Sequence, residues 1–207
     1  MNISNENSQN NKHISKEIIG IHSTILKGKK IVLCITASVA AYKAVDLSRM
    51  LMRNGAEVYP VMSKSTKSRL LTEEIMNWAT GNKTVSELTS DLEHIALANY
   101  GKSDIVVVYP CTANTLGKFA NGIEDNPVTT VLSVAFGSRI PIVIVPAMHE
   151  AMYENIIISE NVKKLKSLGV SVLEPSITED KAKVISAEKL VQFVIDYLRC
   201  ANTEYLA

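Results

Sequence analysis

Several short stretches of this chain carry residue types that bind ligands or move protons. Thr112-Ala-Asn-Thr115 follows the apolar run Asp104–Tyr109, and Asn121-Gly-Ile-Glu-Asp-Asn-Pro127 comes soon after. Hydroxyl and amide side chains just past a buried strand sit at the carboxyl edge of a sheet, where open α/β folds bind ligands. The same residues also suit a plain helix N-cap. A second candidate, Thr36-Ala-Ser-Val-Ala-Ala-Tyr-Lys43, follows the first strand. Its small residues let a ligand approach the backbone, and the next helix turns its N–H groups toward an anion. It is neither a GxGxxG nor a Walker loop, so it specifies neither NAD nor ATP. Met62-Ser-Lys-Ser-Thr66 offers hydroxyls and a lysine, although such turns commonly only cap a helix.

His94 is the only histidine between residues 23 and 148. Imidazole suits proton transfer near neutrality, yet a lone histidine is more often structural. Val145-Pro-Ala-Met-His-Glu-Ala-Met-Tyr-Glu-Asn155 ends a strand in a polar tip, with Met148, Met152 and Tyr153 able to cover a flat apolar group or simply fill core. These loops are expected to lie at the carboxyl ends of parallel strands and to converge on one crevice. Such a crevice fits a phosphorylated, flat, aromatic cofactor, which periodicity does not name.

The elements that must hold these loops alternate in type. Strands are expected at Ile31–Thr36, Glu57–Met62, Ile105–Tyr109, Ile142–Val145 and Val170–Leu173. Helices are expected at Ile18–Leu26, Ala40–Asn54, Thr66–Ala79, Thr115–Ala120, Pro127–Phe136, Asn155–Leu168 and Ala187–Arg199. The alternation implies an α/β fold with a doubly wound, Rossmann- or flavodoxin-like parallel sheet in a single domain. Residues 1–28 read as a tail and lead-in helix, 29–200 as the folded unit and 201–207 as a second tail.

Lys plus Arg (22) nearly balances Asp plus Glu (21), so no nucleic-acid or anionic-membrane partner is indicated. Met1–Lys16 is polar, and no apolar run approaches the roughly 20 residues of a membrane span. Cys34, Cys111 and Cys200 are unpaired in spacing and read as free thiols of a cytoplasmic protein, with no metal site expected.

Four motifs together resemble one family: Ser38-Val-Ala-Ala-Tyr-Lys43, Glu93-His-Ile-Ala-Leu97, Pro110-Cys-Thr-Ala-Asn-Thr115 with Gly122-Ile-Glu-Asp-Asn126, and Pro146-Ala-Met-His-Glu-Ala-Met152. From about residue 29 to 200 the chain resembles the flavin-containing cysteine decarboxylases, most closely the decarboxylase half of archaeal phosphopantothenoylcysteine decarboxylase/phosphopantothenate–cysteine ligase. The resemblance implies FMN, held by Ala37, Ser38, Val39, Ser63, Thr112, Ala113, Asn114 and Thr115, and His94 as the active-site base. It implies substrate contacts from Asn114, Ala147, Met148 and His149. In such enzymes the flavin oxidises a cysteinyl thiol to a thioaldehyde, the carboxylate leaves as carbon dioxide, and the electrons return to give 4′-phosphopantetheine. A homotrimer or an assembly of trimers is implied, with the cofactor at a subunit interface and His94 reaching in from a neighbour.

Two departures stand out. His149 occupies a place where many relatives carry the asparagine that meets the substrate carboxylate. Glu174-Pro-Ser-Ile-Thr-Glu-Asp-Lys-Ala-Lys-Val184 lacks the glycines and the cysteine of the family's flap, so Lys181 or Lys183 could meet the substrate's phosphate or carboxylate instead. The chain ends near residue 207 with no room for a ligase domain, so it is expected to be either a stand-alone decarboxylase or the excised domain of a bifunctional enzyme, with the ligase as a further domain or partner. Competing readings are a flavin prenyltransferase-like enzyme, whose first loop would read Gly-Ala-Ser-Gly, a non-catalytic flavin-binding regulator, and a decarboxylase of peptides ending in cysteine.

Overall fold

The computed structural model describes residues 13–174, 176–178 and 181–204, side chains included except those of 176–178, 181–183 and 201–204. Five parallel strands form the main sheet: β1 (Lys30–Ile35), β2 (Glu57–Met62), β3 (Ile105–Cys111), β4 (Ile142–Pro146) and β5 (Ser171–Val172). Their spatial order is β2-β1-β3-β4-β5, the doubly wound flavodoxin-like order. A separate antiparallel hairpin pairs β6 (Ser176–Thr178) with β7 (Lys181–Lys183). The helices are α1 (Lys43–Arg53), α2 (Lys64–Arg69), α3 (Glu73–Thr80), α4 (Glu93–Ala98) and α5 (Ala113–Ala120). They continue with α6 (Pro127–Gly137), α7 (Glu150–Tyr153), α8 (Ile156–Ser167) and α9 (Ala187–Glu204).

The strands are apolar on both faces because helices cover both. Successive side chains alternate between faces, so Ile31, Leu33, Ile35, Val107, Tyr109, Val143 and Val145 enter one core layer with Leu47 and Leu51 of α1 and Leu190 and Val194 of α9. Val32, Cys34, Val106, Val108, Ile142 and Ile144 enter the other, with Leu116 of α5, Val128, Val131 and Leu132 of α6, and Leu165 of α8. Every residue of β3 is buried. The helix starting at Pro127 is therefore mainly core, with Phe136 left exposed near its end.

Some elements differ from the sequence reading. The helix expected over Thr66–Ala79 is two, because Thr72 leaves helical geometry and its hydroxyl accepts the N–H of Ile75 as a new N-cap. The Ala40–Asn54 helix begins as a 3-10 turn over Val39–Tyr42. The lead-in helix is absent from Ile18–Leu26, where Gly20 takes φ +81°; a 3-10 turn lies earlier, at Ile14–Ile18. The following residues instead satisfy the carbonyls at the end of α1: Gly20 N–H donates to Met52 O (2.9 Å), His22 and Ser23 to Arg53 O (3.0 and 3.1 Å), and Leu26 to Asn54 O (2.8 Å). The last helix runs on to Glu204, past the expected end at Arg199.

This strap needs Gly55. Its φ is +106°, and a Cβ there would lie 2.8 Å from the backbone nitrogen of Lys27. Backbone cannot yield as a side-chain tip can, so Gly55→Ala is expected to cost about 2–4 kcal/mol. The check is a urea titration: the midpoint falls with the slope unchanged.

Candidate functional site

β1 lies between β2 and β3, so the chain leaves β1 in one direction and β3 in the other. The loops after them separate there and leave a crevice at the carboxyl edge. A cavity of about 150 Å³ opens at that place. It is lined by Thr36 and Ala37 after β1, Ser63, Lys64 and Ser65 after β2, Thr112, Asn114, Thr115 and Lys118 around α5, and Asp125 and Asn126 before α6.

Hydrogen bonds from the end of β1 hold both walls. The Thr36 hydroxyl, 1% exposed, donates to Pro110 O (2.8 Å) and accepts the N–H of Thr112 (2.9 Å). On the other side Ile35 O accepts the N–H of Ser63 (3.1 Å) and the hydroxyl of Thr66 (3.2 Å). Ser63 and Thr112 each cap a helix, and each pairs its hydroxyl with a threonine three residues on: Ser63 Oγ lies 2.9 Å from Thr66 Oγ1, and Thr112 Oγ1 donates to Thr115 Oγ1 at 3.2 Å. Asn126 caps α6 through a capping box with Thr129, with Pro127 at the first helical position.

Two cations stand in the lining. Lys64 forms no salt bridge among the described residues, and Lys118 pairs with Asp125, which holds that carboxyl below the usual range. The pair is open to solvent, where water and salt screen it, so an arriving anion can take Lys118 over. Hydroxyls, amides and ammonium groups on one small concavity suit an anion with a polar tail.

Of the residues singled out from sequence, Ala37, Ser63, Thr112, Asn114 and Thr115 line this cavity. Ser38 and Val39 continue the chain from Ala37. Ser38 accepts the N–H of Ala40 (3.3 Å), and the Val39 side chain is 81% exposed. Ala113 is the first residue of α5. Ala147, Met148 and His149 follow β4, the next strand along, and lie outside the lining. His149 Nδ1 accepts the N–H of Ala151 (3.2 Å) as the cap of α7, which leaves Nε2–H of the neutral ring as a donor to the outside. The side chains of Lys181 and Lys183 lie outside the described ones.

The expectation from the residues that these loops all follow strands and converge on one crevice needs correction for His94 within a single chain. It sits on α4, a helix packed along α6, and is not among the lining residues. It does not follow the carboxyl end of a strand but precedes β3, after α2, α3 and a long connection. Its Nδ1 is buried without a hydrogen-bond partner among the described residues. Leu92, Ile95, Tyr100 and Phe136, on or beside the same pair of helices, are exposed.

Sequence reasoning placed Thr36, Lys64, Ser65, Asp125 and Asn126 within motifs without assigning them to the site. It passed over Lys118, whose signal is the i, i+4 spacing from Asn114 on one helix face.

Residues 19–199 match the flavoprotein family. The chain belongs to that family. It is 47% identical over 194 residues to the coenzyme A biosynthesis bifunctional protein CoaBC of Thermococcus kodakarensis, covering 93% of this chain and 48% of that protein. It thus spans about half the length of that relative. A probable phosphopantothenoylcysteine decarboxylase of Streptococcus mutans is 36% identical over 151 residues, covering 71% of this chain and 83% of that one. Among solved structures, the peptidyl-cysteine decarboxylase EpiD superposes with a TM-score of 0.71 at 27% identity, over 81% of this chain and 98% of that one.

Cys111 borders the crevice in sequence but cannot act as a thiolate there. It is fully buried, and burial pushes its thiol up to about 12. Burial raises Cys34 as well. In native flavoprotein at pH 8, a thiol reagent is expected to titrate Cys200, the exposed cysteine, and to reach Cys34 and Cys111 only on unfolding. Thr36→Val keeps the shape but strands the buried N–H of Thr112, at an expected cost of about 1–3 kcal/mol in denaturant unfolding. Thr36→Ser restores most of it.

Proposed function

We propose that this flavoprotein binds FMN and decarboxylates 4′-phosphopantothenoylcysteine to 4′-phosphopantetheine, a step of coenzyme A biosynthesis. The observation that carries the reading is the convergence of three loops, Thr36–Ala37, Ser63–Ser65 and Thr112–Thr115, on one polar crevice at the switch point. Its relatives supply the chemistry: CoaBC and phosphopantothenoylcysteine decarboxylase by name, and EpiD as a cysteine decarboxylase.

The donor set fits FMN. Ser63, Lys64 and Ser65 offer hydroxyls and an ammonium for a phosphate, with Ala37 in the same lining and Ser38 and Val39 continuing from it, while Thr112, Asn114 and Thr115 offer an amide and hydroxyls for the polar edge of a ring. When bound, FMN supplies the two-electron sink for a cysteinyl thiol and returns the electrons after carbon dioxide has left. The chain's own residues bind, orient and move protons. Asn114 orients the reacting groups, the His94 imidazole takes the proton from the substrate's sulfur, and His149 Nε2–H faces its carboxylate from the β4 loop. Ala147 and Met148 flank His149, and Lys181 and Lys183 are proposed for the substrate's phosphate.

One chain does not enclose this site. Ligand pockets commonly measure about 300–1,000 Å³, against about 150 Å³ here. The missing wall, the orphaned His94 Nδ1 and the exposed apolar residues around it support a homotrimer, or an assembly of trimers, in which His94 serves a neighbour's crevice. In this reading 29–200 is the decarboxylase unit, flanked by 1–28 and 201–207. A ligase domain or partner accompanies it, in keeping with the bifunctional name of the CoaBC relatives, and the protein works in the cytoplasm. No helix among the described residues is long and apolar enough to cross a membrane.

Anaerobic incubation of the FMN-loaded protein with 4′-phosphopantothenoylcysteine, followed by mass analysis, tests the reading. Phosphopantetheine is expected, with His94→Asn slowing its formation by about 10²–10⁴ while the protein keeps its flavin. A yellow protein that leaves the substrate untouched overturns it.

A further inference from the structure

A polar cluster lies behind the crevice wall, and no step of the proposed reaction uses it. The Ser86 hydroxyl, 3% exposed, donates to Glu73 Oε1 in a short bond and accepts from Lys67 Nζ at 3.1 Å. Lys67 Nζ also lies 3.1 Å from the same Glu73 oxygen. The Glu73 carboxyl is held below its usual range, first by the Ser86 hydrogen bond and then by Lys67.

The three residues come from three segments: Lys67 from α2, Glu73 from the start of α3, and Ser86 from the connection leading to α4. That connection is fixed independently of the cluster. Val85 bridges to Val61 of β2, Met62 N–H donates to Val85 O (2.8 Å), Val85 N–H to Pro60 O (3.0 Å), and Thr84 N–H to Asn77 Oδ1 (2.7 Å). Ser86 is thus a fixed post on the sheet edge. The helix tied to it, α2, has six residues, and the Ser63–Ser65 wall is its N-cap and first two residues. So short a helix has little stability of its own, and its placement comes from its attachments. One is the Thr66 hydroxyl on Ile35 O. Another is Lys67 on the Ser86–Glu73 pair. Charge-assisted hydrogen bonds around a buried hydroxyl are stiffer than neutral ones.

We propose that Lys67, Glu73 and Ser86 are positioning residues that hold the Ser63–Ser65 wall in register with the phosphate of the flavin nucleotide. They touch no ligand and act through α2. The proposal rests on the FMN reading, specifically on the phosphate lying against this wall.

The test separates the two. Dissociation constants for FMN and for riboflavin, which has the same ring but no phosphate, are measured by flavin fluorescence on apo-protein. The proteins compared are wild type, Ser86→Ala, Lys67→Met, Lys67→Arg and Ser63→Ala. Ser86→Ala and Lys67→Met are expected to weaken FMN roughly tenfold and to leave riboflavin within about twofold. Lys67→Arg, which keeps charge and donors, stays near wild type. Ser63→Ala lowers the preference for FMN over riboflavin. If Ser63→Ala leaves that preference unchanged, the phosphate lies elsewhere and the proposal falls with the wall assignment. If Ser63→Ala lowers it while Ser86→Ala and Lys67→Met affect both flavins equally or neither, the proposal alone falls. Lys67 is partly exposed, so its variants decide the matter should Ser86→Ala not fold.

Discussion

The crevice depends on the end of β1. In the order β2-β1-β3 this is the strand that touches both neighbours whose loops form the walls. The Ile35 carbonyl and the Thr36 hydroxyl therefore reach both sides: Ser63 and Thr66 on one, Pro110 and Thr112 on the other. These bonds lie in a low-dielectric place, where a satisfied hydrogen bond is stiff and an unsatisfied one is costly. The sheet fixes the strand, the strand fixes two loops, and the loops set the spacing of the groups that line the crevice.

Two explanations of the small polar residues hold at once. Ser63 and Thr112 are ordinary helix caps, and they also line the cavity. Capping is what makes them usable. A hydroxyl whose lone pair already accepts a backbone N–H, and which is paired with a second hydroxyl on the next turn, has few orientations left. A ligand meeting it gives up little entropy on binding.

The fold was legible where burial is continuous and not where geometry is local. β3, buried along its whole length, could hardly be read as anything but an inner strand. The site's small polar motifs were visible because they interrupt such strands. Nothing in sequence announced α4, which has six residues and starts from Leu92 in the left-handed region. The hairpin of β6 and β7 was likewise invisible in a charged stretch with no clear alternation. The role of Thr36 depends on partners 74 and 76 positions away, and that of Ser86 on residues 13 and 19 positions away. Pattern reading looks along the chain, and these bonds run across it.

The two-layer core has a consequence for synthesis. The layer behind Ile31, Leu33, Val107 and Val143 is closed by Leu190, Val191, Val194, Ile195 and Leu198, all on α9. A ribosome that has finished residue 186 has made every strand of the sheet, yet one face of that sheet still lacks its last cover. That face is the kind of continuous aliphatic surface that chaperones and other nascent chains bind. Helix α9 is thus the step that completes the cover of that face. A transcript cut short just before it would yield a sticky half-sandwich, not a smaller flavoprotein.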